Sequence, residues 1–294
     1  MLSEVTMAIL TYDGRPLDCS LISLDAYSWS PKTWNGFTEL YGNQVWTDGV
    51  NIYFSLNNKH YVLNKATSTW SPKTWSGLTN FRGEYVWTDG ENIYISYDTY
   101  YQYVLNKNTS TWSQKTWNGY THPNGDCIWT DGENIYYSYD SRQKVLDKAT
   151  STWSSKTWSG LTNFRGEYVW TDGENIYYSA SDLGVSTSGQ YVLDKATSTW
   201  SPKAWTGLTN FDGYAVWTYG GNIYYSLGST QYVLNKATST WSPKAWSGLT
   251  DFHGHSVWTD GNGIYYSYIS GAINKQYVLE NPDGKGVFIS YENT

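Results

Sequence analysis

The chain has 294 residues, of which 15% are charged and 18% aromatic, with 18 Trp, 29 Tyr and a formal net charge of −7. That balance excludes a phosphate-binding surface of massed Lys and Arg, so no nucleic-acid partner is expected. Two cysteines, Cys19 and Cys127, are too few and too far apart for a disulfide framework or a cysteine metal site.

Taken in order, residues 1–24 read as an N-terminal extension. Residues 1–10 have neither the basic start nor the apolar run of a signal peptide. No later stretch approaches the ~20 apolar residues of a membrane span. The expectation is a soluble chain without a membrane partner, cytoplasmic or virion-associated. Leu10-Thr11-Tyr12-Asp13-Gly14 and Leu21-Ile22-Ser23-Leu24-Asp25 faintly echo the pattern that follows. A clear repeat opens at Tyr27-Ser28-Trp29, so the repeat domain spans 25–281, and residues 282–294 form a C-terminal tail.

Three tryptophan families define the repeat. Val-Trp-Thr-Asp-Gly or a close variant places Trp46, Trp87, Trp129, Trp170, Trp217 and Trp258 at intervals of 41, 42, 41, 47 and 41. Ser-Thr-Trp-Ser places Trp70, Trp112, Trp153, Trp200 and Trp241, with Trp29 as a degenerate copy. Lys-Thr/Ala-Trp places Trp34, Trp75, Trp117, Trp158, Trp205 and Trp246. In the second copy, residues 84–88 read as strand one and Asp89-Gly90-Glu91-Asn92 as a tight turn. Residues 93–97 follow as strand two, 102–106 as strand three and 111–116 as strand four, with 118–125 crossing to the next repeat.

Four short antiparallel strands per ~42 residues, repeated six times, are the arithmetic of a β-propeller. One such sheet cannot bury both faces alone, and the tryptophans suit the wedge between stacked sheets. The repeat starts on a fourth strand and ends on a third, at 276–279. The expected fold is therefore all-β, a six-bladed propeller whose N-terminal strand completes the last blade. A seven-bladed ring, using the echoes at 10–25 and a spare strand at 287–291, stays open.

Residues 176–179, 190–194 and Trp200 resemble the kelch repeat: an apolar strand with Tyr, an aromatic strand ending in Asp, a turn, then a Trp. The usual Gly-Gly after strand two is replaced, for example by Ser179-Ala180. The resemblance implies a propeller used mostly as a protein-binding scaffold, with a few enzymes among its members. Near-identical repeats also resemble amplified propellers of microbial or phage-borne surface proteins.

The copies differ in two places. One is the lead-in to strand one: Tyr41, Arg82 and Tyr85, Asn124, Arg165 and Tyr168, Asp212 and Tyr214, His253 and His255. The other is the loop between strands two and three, short at 57–60 and extended at 180–189 and 269–275. Strands alternate in direction, so both places share one face and both constant turns share the other. The ten named lead-in residues are the candidate binding site for a protein or peptide, since Tyr, Arg and His favour interfaces. The alternative is a lectin-like ring, with Trp75 and its equivalents near solvent as sugar-stacking platforms. The constant Trp of strand one is expected in the core.

Other chemistry is set aside. Asp48, Asp89, Asp131, Asp172 and Asp260 read as turn formers rather than calcium ligands, since Tyr219 replaces the fifth copy. His253 and His255 have no companion ligands at zinc spacing. Glu84, Asp126 and Glu167 would serve a glycosidase only if two lay within roughly 5–10 Å. The expected molecule is a monomeric, non-enzymatic binding protein without cofactor.

Overall fold

The computed structural model describes residues 28–280, apart from 38–39, 57, 98–100, 121–127, 140–141, 162–163, 165–168, 181–188, 209–210, 212–215, 220, 228–229, 250–251, 253–256, 262 and 271–272. It is a six-bladed propeller of four-stranded antiparallel sheets. The segments whose echoes allowed a seventh blade lie outside the described residues.

Strand β1 (Ser28–Pro31) comes first in the chain but belongs to the last blade. Blade 1 holds β2 (Val45–Thr47), β3 (Ile52–Leu56), β4 (Lys59–Asn64) and β5 (Thr69–Pro72). Strands β6 to β21 repeat this order in blades 2 to 5, over residues 86–115, 128–155, 169–202 and 216–244. Blade 6 contains β22 (Val257–Thr259), β23 (Ile264–Ser270) and β24 (Ile273–Glu280), and β1 pairs with β24 in the register Trp29↔Leu279. The same Trp↔Leu register joins β4 to β5, as Leu63↔Trp70. The overlap of chain ends anticipated from the repeat phase therefore closes the ring with backbone hydrogen bonds.

Three details differ from the sequence reading. Strand one of blade 2 begins at Val86 rather than residue 84, because Gly83–Tyr85 forms a 3-10 turn. Strand four ends at Lys115. The segment 269–275 is largely paired strand, with Tyr268↔Lys275, Ile269↔Asn274 and Ser270↔Ile273, so blade 6 carries a longer hairpin where an extended loop was expected.

The core lies between blades, not within them. Trp46 and Tyr53 of blade 1 pack with Trp75, Leu78 and Phe81 of the crossing segment and with Val86, Ile93, Leu105 and Trp112 of blade 2. Equivalent clusters fill the other five wedges. Each takes one tryptophan from strand one, one from the crossing segment and one from strand four of the following blade, which uses all 18. The rings meet at stacked, tilted and edge-on angles, as in Trp87–Trp117 at 5.7 Å and 29° and Trp75–Trp112 at 5.8 Å and 60°. Such geometry favours aromatic pairs by roughly 0.5–1.5 kcal/mol beyond area burial.

Backbone contacts also join the blades. The amide of Ser76 donates to Ser110 O and that of Trp112 donates to Ser76 O, forming a parallel bridge. Gly77 makes this approach possible, since a Cβ there would stand 1.9 Å from Trp112 O.

Candidate functional site

The two faces of the ring are built differently. On the constant face, Asp89 Oδ1 accepts from the backbone N–H of Glu91 and Asn92, and Oδ2 accepts from the Tyr94 hydroxyl at 2.8 Å. Asp48, Asp131 and Asp172 repeat this set, so the carboxylate is a turn former, as expected. Burial would raise the Asp48 carboxyl, but hydrogen bonds from Asn51, Val50 and Tyr53 outweigh it and hold it below its usual range. Burial, together with the adjacent Asp, pushes the Tyr53, Tyr94, Tyr136, Tyr177 and Tyr265 hydroxyls well above theirs. Among the described residues, no group of three metal-ligating side chains forms.

The second constant turn completes the blade boundary. Lys107 Nζ donates to Asp48 O of the preceding blade at 2.9 Å, and Lys148, Lys195 and Lys236 repeat the contact on Asp89, Asp131 and Asp172. Ser68, Ser110, Ser151, Ser198 and Ser239 adopt φ between 49° and 54°, a left-handed conformation unusual for serine. Lys73 Nζ donates to Ser110 Oγ at 2.8 Å, and the same bond recurs from Lys32, Lys115, Lys156 and Lys203. The constant turns are thus occupied in holding one blade to the next.

These lysines correct one expectation. Trp75 is 3% exposed, and the Lys73 ammonium stands 4.8 Å from its ring centroid. Lys32, Lys115, Lys156, Lys203 and Lys244 cover Trp34, Trp117, Trp158, Trp205 and Trp246 in the same way. A sugar needs an open ring face, and Trp34, Trp75, Trp117 and Trp158 are buried while Trp205 and Trp246 are half-buried, each beneath its lysine. The strand-one tryptophans lie in the core as expected, with Trp46 at 0% exposure.

The variable face is anchored from below. Gln143 Nε2 donates to Phe164 O at 3.0 Å, Gln190 to Phe211 O at 2.7 Å, Gln231 to Phe252 O at 2.8 Å and Gln276 to Leu40 O at 2.9 Å. The side chains of Leu40, Phe164, Phe211 and Phe252 are buried in the wedges. The next residue in each case is a candidate: Tyr41, Arg165, Asp212 and His253. These four lead-ins therefore each have a clamped carbonyl and a buried apolar side chain one residue before the variable position. In blade 1 His60 replaces the glutamine; its Nε2 lies 2.9 Å from Thr79 O, two residues earlier than the carbonyl the glutamines reach, and its ring stacks on Phe81 at 4.4 Å. Burial lowers the His60 pKa, and its Nδ1 has no hydrogen-bond partner.

Of the ten candidates, the structure describes three. Arg82 is exposed and leads into the turn Gly83–Tyr85. Tyr41 and Tyr85 are half-buried, packed on the wedges between blades 6 and 1 and between blades 1 and 2. Gly83 lies against the preceding lead-in, where a Cβ would meet Gln44 O at 2.3 Å, so the lead-ins of blades 1 and 2 stack on one another. Asn124, Arg165, Tyr168, Asp212, Tyr214, His253 and His255 lie outside the described residues, as do Asp126 and Glu167. Near the lead-ins, exposed Tyr101 and Arg142 open strand three of blades 2 and 3, and Lys144 stands 5.9 Å from the Tyr120 ring. The glutamine row and Tyr101 were missed from sequence; the signal for the glutamines was their near-constancy at the start of strand three.

No protein-family profile matches this chain, and no curated protein matches it. No helix among the described residues is long and apolar enough to cross a membrane.

Proposed function

We propose that the ring is a non-enzymatic binding scaffold whose variable face holds a protein or peptide. The clamped lead-ins carry this reading. A rigid carbonyl and a buried anchor precede a side chain that changes from blade to blade, as Tyr41, Arg165, Asp212 and His253, and buried Phe81 precedes Arg82. A surface that varies on a preorganised backbone loses little entropy on binding. The constant face, by contrast, is occupied by contacts between blades. The kelch-like order of residues 176–179, 190–194 and Trp200 supports the same use, since that resemblance implies protein-binding scaffolds. A multivalent lectin is disfavoured because the lysine-covered tryptophans offer no open platform.

Panning a phage-displayed peptide library against the ring, followed by anisotropy titration of the selected peptides, tests the proposal. Arg82→Ala and Tyr85→Ala are expected to weaken binding about tenfold each, the range of interface hot spots. Glu91→Ala and Glu133→Ala, on the opposite turns, are expected to leave it unchanged. Peptides that lose affinity only with the constant-face variants would overturn the reading, and glycan-array binding without peptide binding would replace it with the lectin.

A further inference from the structure

The outer strand of blade 6 is the one outer strand without a covalent turn to its neighbour, because β1 and β24 stand at opposite ends of the repeat domain. Its seat is nevertheless complete. Trp29 N–H donates to Ser247 O at 2.9 Å and Lys32 N–H to Gln276 O at 2.7 Å, matching Trp70 to Asn35 and Lys73 to His60 in blade 1. Trp29 packs on Trp217, Trp246, Phe252 and Tyr266 in the wedge between blades 5 and 6. Gly248 leaves room for Trp29 O, where a Cβ would approach to 1.9 Å.

The segment that fills this seat is not unique. Ser28-Trp29-Ser30-Pro31-Lys32 recurs as Thr-Trp-Ser-Pro-Lys at 69–73, 199–203 and 240–244. We propose that the edge of β24, with the wedge beside Gly248, is a binding site for an extended Ser/Thr-Trp-Ser-Pro-Lys segment. β1 fills it within one chain, and β1 of a second copy fills it by strand exchange. The recognition is β-augmentation: main-chain bonds to β24 supply affinity, and the Trp pocket and the Lys-to-Ser68 contact supply specificity. In a single chain the tether through the crossing segment makes the internal strand the stronger competitor, so exchange appears when chains refold together at high concentration.

The test uses full-length Trp29→Ala, which weakens the internal strand and leaves β24 intact, with a fluorescent peptide of residues 69–77. The peptide is expected to bind this variant about tenfold or more tighter than the wild-type chain and to raise its melting temperature. A peptide carrying Ala for Trp70 is expected to do neither. A folded variant that ignores the peptide, or equal binding to both proteins, would overturn the proposal. If the variant does not fold, two dye-labelled pools of wild-type chain are unfolded and refolded together at high concentration. Mixed dimers showing energy transfer support exchange, and their absence contradicts it.

Discussion

Gly77 and Gly90 both take a left-handed backbone, at φ +83° and +92°, but only Gly77 is pressed against another strand. A Cβ at Gly90 meets nothing within 4 Å, so Gly90→Ala carries the conformational penalty alone, about 1 kcal/mol. Gly77→Ala must also push Trp112 O away and is expected to cost about 2 kcal/mol or more. Thermal unfolding of the two variants separates the terms, at roughly 2–4 °C per kcal/mol for a large domain. His60 gives a pH signature. Its folded pKa lies below the ordinary 6.5, so the unfolded chain binds the extra proton first as pH falls. Its contribution to stability is therefore complete above about pH 6.5 and declines as pH drops from there through the lowered folded value. His60→Gln restores the residue found at this place in blades 2 to 6. Its melting temperature is expected to fall less between pH 7 and 5 than that of the wild-type chain; parallel curves would contradict the assignment.

At the scale of one element, the crossing segment links sequence to packing. Lys73→Met keeps the stem over Trp75 but removes the ammonium from both the ring and Ser110 Oγ. Loss of the cation–π contact is expected to lower stability by roughly 0.5–2 kcal/mol in denaturant titration. Most of the strands are legible because Ile-Tyr-Ile alternates between the wedges on its two faces, with Ile93 and Ile95 in one and Tyr94 in the next, while Thr-Trp-Ser buries only its central ring. Strand one begins two residues later than the pattern indicates because Gly83–Tyr85 turns where the pattern still alternates. The burial of Trp75 is not legible in the sequence because linear pattern does not show Lys73 folding over the ring two residues on. The pairing within 269–275 is not legible because it extends beyond the length shared by the other copies.

For the whole molecule, the number of blades and the closing strand were readable from the phase of the repeat. The segregation of constant and variable positions was readable too, but its cause was not. The Asp and Lys turns are constant because they meet across blade boundaries, as in Lys148 Nζ to Asp89 O, and no single repeat contains that contact. One face of the molecule maintains the ring while the other is free to change. Thermal unfolding of two double variants tests this most directly. Asp89→Ala with Asp131→Ala removes buried carboxylates that each accept two backbone N–H groups and a tyrosine hydroxyl. It is expected to lower the midpoint by roughly 5 °C or more. Tyr101→Ala with Arg142→Ala, at exposed positions of the variable face, is expected to shift it by no more than about 2 °C. Equal losses from the two pairs, or a larger loss from the variable face, would contradict the account.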